Sequence, residues 1–138
     1  MKKAVIVVDP HFSGKSKTIK KYFKPLVGLS GNERSFTLHE KSGTVLSQSL
    51  EEKRLGKVIS QSVEEKRISS VADFLEKYMS CQWLILAARP ASEPGSHYKE
   101  IVAILKRNGF AVATVEVTAG QSESFYKQRA NEIHGHLV

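Results

Sequence analysis

Three apolar runs constrain this chain most: Ala4–Val8, Trp83–Ala88 and Phe110–Val117, the last interrupted by Thr114 and Glu116. Each is five to eight residues long and rich in Val, Ile, Leu or Ala. The first two hold no polar residue, which suits strands buried on both faces, the habit of parallel sheets covered by helices on either side, and the third is read as a buried strand with them. The segments between them carry helical spacing. Ile19, Tyr22, Phe23, Leu26 and Val27 fall at i, i+3, i+4, i+7 and i+8. Ser16 is placed to cap that helix, and Pro25 predicts a stop or kink near Lys24. Val71, Phe74, Leu75, Tyr78 and Met79 form a second stripe, and Tyr98, Ile101, Val102 and Leu105 a third, with Ser96 as its cap and Asn108-Gly109 as its end. Ser35–His39 alternates polar and apolar residues, as a half-exposed strand does. A short polar helix is expected after Gly120-Gln121-Ser122. The reading is an α/β fold: a single three-layer sandwich over residues 1–138, with a small, mostly parallel sheet of about four strands.

One segment does not fit that alternation. Val45–Lys57 (VLSQSLEEKRLGK) is followed at once by Val58–Ser70 (VISQSVEEKRISS), a tandem repeat of 13 residues. Solenoid units are longer and need about three copies. In one straight helix, 13 residues turn the chain by about 1300°, so the copies would face nearly opposite ways. The repeat is read as a duplication that lengthened a polar connection, residues 45–70. The alternative is an arm that contacts a partner.

Composition narrows the function. The chain has 21 Lys and Arg against 14 Asp and Glu, a formal charge of +7, which favours meeting phosphates. Its apolar runs are far shorter than the roughly 20 residues that span a bilayer. The run after Met1-Lys2-Lys3 is also too short for a secretory signal, so a cytoplasmic protein without membrane partners is expected. A single cysteine, Cys81, excludes an intrachain disulfide and is read as packing. No metal site and no cofactor are expected: His134 and His136 are the closest histidine pair and read as a solvated tail.

The candidate chemistry follows the first strand. Asp9-Pro10-His11-Phe12-Ser13-Gly14-Lys15-Ser16 matches the phosphate-binding loop G-x-x-x-x-G-K-[ST] except at its first position. Asp9 stands where a glycine lets the backbone wrap the phosphates, and no later strand ends in an acid suited to Mg²⁺. A nucleoside triphosphatase is therefore not expected. Ligands of open α/β sheets bind beyond the carboxyl ends of the strands. That rule gathers Asp9, His11, Gly14, Lys15 and Ser16 with Arg89 and Ser96 as candidate ligand-binding residues, and adds Thr118, Gln121 and Ser122. Lys15 and Arg89 suit an anion, while Asp9 and His11 have the spacing of a base and its orienter. Lys17, Lys20, Lys21 and Lys24 are the candidate nucleic-acid contacts. No catalytic residue is assigned.

A resemblance bears on the C-terminal half. Val71-Ala72-Asp73-Phe74-Leu75-Glu76-Lys77-Tyr78, Trp83-Leu84-Ile85-Leu86-Ala87-Ala88-Arg89-Pro90 and Val115-Glu116-Val117-Thr118 together resemble the bacterial host-attachment family, which is similar to the middle domain of peptide-chain release factors. The resemblance implies association with RNA or the ribosome. It covers residues 71–127 only, and it departs from the family where Ala91-Ser92-Glu93-Pro94-Gly95 replaces a leucine- and glycine-rich turn. Nothing reads Gly-Gly-Gln, so peptidyl-tRNA hydrolysis is not implied. The sequence thus supports a non-enzymatic basic module for RNA, the ribosome or another polyanion. The alternative is a phosphate- or nucleotide-binding domain or enzyme built on residues 9–16. Oligomeric state is left open.

Overall fold

The computed structural model describes residues 2–8, 18–30, 33–38, 41–46, 71–72, 74–92, 95–118 and 120–137. Each long apolar run forms a strand within one sheet. The strands are β1 (Lys2–Val8), β2 (Ser35–Leu38), β3 (Lys41–Leu46), β4 (Trp83–Ala88) and β5 (Phe110–Glu116). Their order is β2-β3-β4-β1-β5. β1 runs parallel to β4 and β5, β3 runs parallel to β4, and only β2 is antiparallel, against β3.

The side chains of β1 and β4 divide by strand alternation between two cores. Ala4, Ile6, Val8, Leu84, Leu86 and Ala88 meet Val71 and Leu75 and, from helix α1 (Tyr98–Arg107), Ile101, Ile104 and Leu105. Val5, Val7, Ile85 and Ala87 meet Ile19 and Phe23 on the opposite face, with Tyr126, Ala130, Ile133 and Leu137 of helix α2 (Glu123–Leu137). Each fully buried aliphatic side chain contributes about 1.5–3 kcal/mol, so this two-sided burial explains why the runs lack polar positions. The result is the expected α/β sandwich: a mostly parallel sheet with helices on both faces.

The sheet has one strand more than the sequence suggested. β3 was hidden because Lys41-Ser42-Gly43 reads as a polar turn and Val45-Leu46 as the opening of the repeat. In the fold Thr44, Val45 and Leu46 are buried between β2 and β4. Val45 and Leu46 thus belong to the sheet rather than to a polar connection, and residues 47–70 of the repeat lie outside the described residues. β5 also differs from expectation. It is not buried on both faces, because the strand order makes it an edge, and only Phe110 and Val115 are fully buried.

The helical segments follow their stripes with two corrections. Residues 18–27 do not form one α-helix. A wide, π-type turn (Thr18–Phe23) passes into a tight 3-10 turn (Lys24–Val27), the change coming at Lys24 next to Pro25. Widening and tightening shift the helical phase, so Ile19 and Phe23 are buried while Leu26 is 43% exposed and Lys24 only 2%. The turn closes at Gly28, whose φ of 78° puts it in the left-handed region that glycine enters without a Cβ clash. α2 is longer than expected at 15 residues, and it contains His134 and His136, which are therefore helical rather than part of a loose tail. Its stripe of Tyr126, Ala130, Ile133 and Leu137 was masked by the small and polar residues between them.

Gly43 shows how closely the layers approach. It pairs in register with Phe36 on β2 and Trp83 on β4. The Phe36 ring folds over Gly43 and stacks on Trp83, with centroids 6.1 Å apart. A Cβ at Gly43 would overlap the tip of that ring. Phe36 is buried and held by the stack, so it has little room to yield. Gly43→Ala is expected to lower stability by about 1–3 kcal/mol, as overpacking does, measured by denaturant unfolding. Unchanged unfolding would mean that the Phe36 ring moves freely.

Candidate functional site

The carboxyl ends of three strands lie level. Val8 is the register partner of both Ala88 and Glu116, and the Val117 N–H donates to the Val8 carbonyl at 2.9 Å. The segment carrying Asp9, His11, Gly14, Lys15, Ser16 and Lys17 leaves from this edge and lies outside the described residues. Arg89 and Ser96 are described, and the fold brings them together. The Ser96 hydroxyl donates to the Arg89 carbonyl at 2.8 Å and accepts the Tyr98 N–H at 3.1 Å. The N-cap of α1 is His97, which makes no side-chain capping bond, and not Ser96 as the sequence suggested. Ser96, one residue earlier, ties the first turn of α1 to the end of β4. That structural role occupies both its hydrogen and a lone pair. The Arg89 guanidinium lies beside Gly95, with Nη1 3.9 Å from where a Cβ would stand.

The neighbouring loop after β5 is tied down by one phenol. The Tyr126 hydroxyl donates to the Thr118 carbonyl at 3.0 Å and accepts the Gln121 N–H at 3.1 Å. Ser122 Oγ accepts the Phe125 N–H at 3.3 Å at the start of α2. Thr118, Gln121 and Ser122 therefore serve to seat α2.

A second concavity lies between residues 18–27 and α2. It is a groove of about 290 Å³ lined by Lys21, Tyr22, Pro25, Leu26, Lys127 and Asn131. Exposed Leu26 forms part of one wall. Lys127 and Asn131 are exposed and one helical turn apart on α2, forming the other. Sequence reasoning found Lys21 but missed Lys127 and Asn131. Their i, i+4 spacing was legible, but not the fact that this stripe faces a segment about a hundred residues earlier.

The groove's upper end is latched. Glu123 Oε1 accepts from Lys21 Nζ at 3.1 Å and from the Tyr22 hydroxyl at 3.0 Å. Tyr22 also stacks on Tyr126 with ring centroids 6.4 Å apart. The Lys21 hydrogen bond, then that of Tyr22, holds the Glu123 carboxyl below its ordinary value, and the same bond to Glu123 raises Lys21. Of the other predicted nucleic-acid contacts, Lys20 is exposed. Lys24 is buried, and burial followed by the nearby charges of Lys20 and Arg34 lowers its pKa. It is therefore badly placed to meet phosphate. Cys81 is half-buried with its sulfur 3.3 Å from Thr44 Oγ1. Among the described residues no group of three or more His, Cys, Asp or Glu side chains is arranged to hold a metal, and no helix is long and apolar enough to cross a membrane.

Comparison with known protein families, curated proteins and solved structures finds no match to this chain.

The latch makes a pH-dependent prediction. A carboxyl whose folded pKa is depressed stabilises the fold above its unfolded pKa, here near 4.5, and loses that contribution as pH falls through the folded value. Glu123→Gln should therefore be less stable than wild type at neutral pH, with the gap closing as pH falls below the unfolded value near 4.5 and through the lower folded one. Thermal melts across pH would show this. A gap that stays constant into acid would mean the latch does not depend on the carboxylate charge.

Proposed function

We propose that this chain is a non-enzymatic module that binds RNA through the groove between residues 18–27 and α2. The groove itself carries the reading. It places cationic Lys21 and Lys127 on facing walls, the first with the apolar surfaces of Pro25 and Leu26 and the second with the amide of Asn131. Ammonium groups meet phosphates, a side-chain amide meets base edges, and an exposed apolar floor suits the face of an unstacked base. Glu123, the carboxylate beside the groove, is engaged by Lys21 and Tyr22 and so repels an incoming phosphate less than a free acid would. Lys20 lies exposed on the same segment, and the chain as a whole carries a formal charge of +7. Leu26, 43% exposed, adds an accessible apolar surface beside the lysines. The resemblance of residues 71–127 to host-attachment proteins points to the same partner class.

The small-molecule alternative depends on residues 9–16, which lie outside the described residues. Its described members are Arg89 and Ser96, and the Ser96 hydroxyl is already engaged by the Arg89 carbonyl and the Tyr98 N–H.

Binding should weaken with salt, because each neutralised phosphate releases counterions, with a slope of about −0.7 per contact on a single strand. Lys127→Ala should reduce that slope by about 0.7, and Lys20→Ala by a similar amount. Lys24→Ala should leave RNA affinity unchanged, since that side chain is turned inward. Titration of a labelled single-stranded RNA at several salt concentrations measures all three. Salt-independent binding, or equal losses from all three substitutions, would overturn the reading.

A further inference from the structure

β5 closes one side of the sheet, and among the described residues no strand lies beyond it. Which backbone groups face outward follows from one bond. The Val117 N–H donates to the Val8 carbonyl, so the odd-numbered residues of this strand turn their polar groups toward β1. In a ladder the alternate residues point the other way. Phe110, Val112, Thr114 and Glu116 therefore present their N–H and C=O groups outward. The register with β1 runs unbroken from Phe110 to Glu116, so no bulge twists the edge away. Residues 110–115 contain no lysine, proline or other charge, the usual devices that blunt an edge strand. Ala111 and Thr114 are exposed, and Val112 and Ala113 are half-exposed.

The geometry points to a second copy of this chain as the occupant of that edge. β5 pairs antiparallel with β5 of the second copy about a two-fold axis at Ala113, joining the two sheets into one. In this register Phe110 lies opposite Glu116 of the second copy and Val112 opposite its Thr114. All outward-facing groups on both strands are then used, in about eight hydrogen bonds, two for each closely spaced pair. The charges agree with the register. Lys2 pairs with Phe110, and its ammonium sits 4.7 Å from the centre of that ring. Lys2 also donates to the Met79 carbonyl. Strand alternation puts Glu116 on the same face as Phe110, where it is exposed. Antiparallel pairing therefore carries Glu116 of each copy to the Phe110–Lys2 end of the other, twice by symmetry. A shift of the register along the strand would lose both backbone bonds and this charge match.

Sedimentation at about 100 μM protein, where a micromolar dimer is nearly fully formed, should show a dimer. Thr114→Pro removes an outward N–H and leaves the β1 ladder intact, because that ladder uses the odd-numbered residues. It should yield a monomer with unchanged far-UV circular dichroism. Glu116→Lys should weaken the dimer roughly tenfold by setting like charges against Lys2 twice. Combining it with Lys2→Glu should restore affinity to near wild type. A monomeric wild type overturns the proposal, as does a dimer that survives both Thr114→Pro and Glu116→Lys. Should Thr114→Pro fail to fold, the charge pair decides: loss with Glu116→Lys and recovery in the double variant support it, and any other pattern overturns it.

Discussion

The parallel pairing of β1 with β4 is the constraint on which the rest depends. Six consecutive residues of each strand are in register, from Lys3 with Trp83 to Val8 with Ala88. Their side chains alternate between two separate cores. A pair of strands apolar on both sides cannot face water on either, so both faces require a helical layer. That requirement sets the positions of α1, Val71 and Leu75 on one side, and of residues 18–27 and α2 on the other. The level strand ends at Val8, Ala88 and Glu116 follow from the same register. So does the edge from which the phosphate-loop-like segment departs.

The face bearing the groove is held by polar stitches added to its apolar contacts. The Trp83 indole N–H donates to the Leu137 carbonyl at 3.1 Å, anchoring the last turn of α2 to the first residue of β4. Tyr126 anchors the first turn of α2 to the loop after β5, and Tyr22 stacks against it. A helix tied at both ends presents Lys127 and Asn131 at a defined distance from Leu26. This gives the groove fixed walls, which a binding surface needs if it is to avoid a large ordering cost on association.

Much of this was legible because burial leaves a periodic trace in sequence. The strands β1 and β4 were readable as solid apolar runs, and α1 as a stripe with a clear end at Asn108-Gly109. Three features left no such trace. β3 begins with polar residues and a glycine, and its Gly43 makes sense only once Phe36 is seen lying across it. Leu26 belongs to the apolar stripe by spacing, yet the change from a wide to a tight turn rotates it into solvent and Lys24 inward. α2 hid its stripe behind small and polar residues. The two sides of the groove are joined by the Lys21–Glu123 contact, 102 residues apart, and no local pattern announces that.

The sequence by itself pointed to a two-sided, mostly parallel sheet, since five or six consecutive apolar residues alternating with helical stripes suit strands buried on both faces. It also set the formal charge of +7, since the excess of Lys and Arg is a matter of composition. The tertiary structure decided which apolar run became an edge, which lysines face solvent, and which helix faces the segment after β1. Those depend on strand order and on helical phase, and both are set by contacts between residues far apart in the chain.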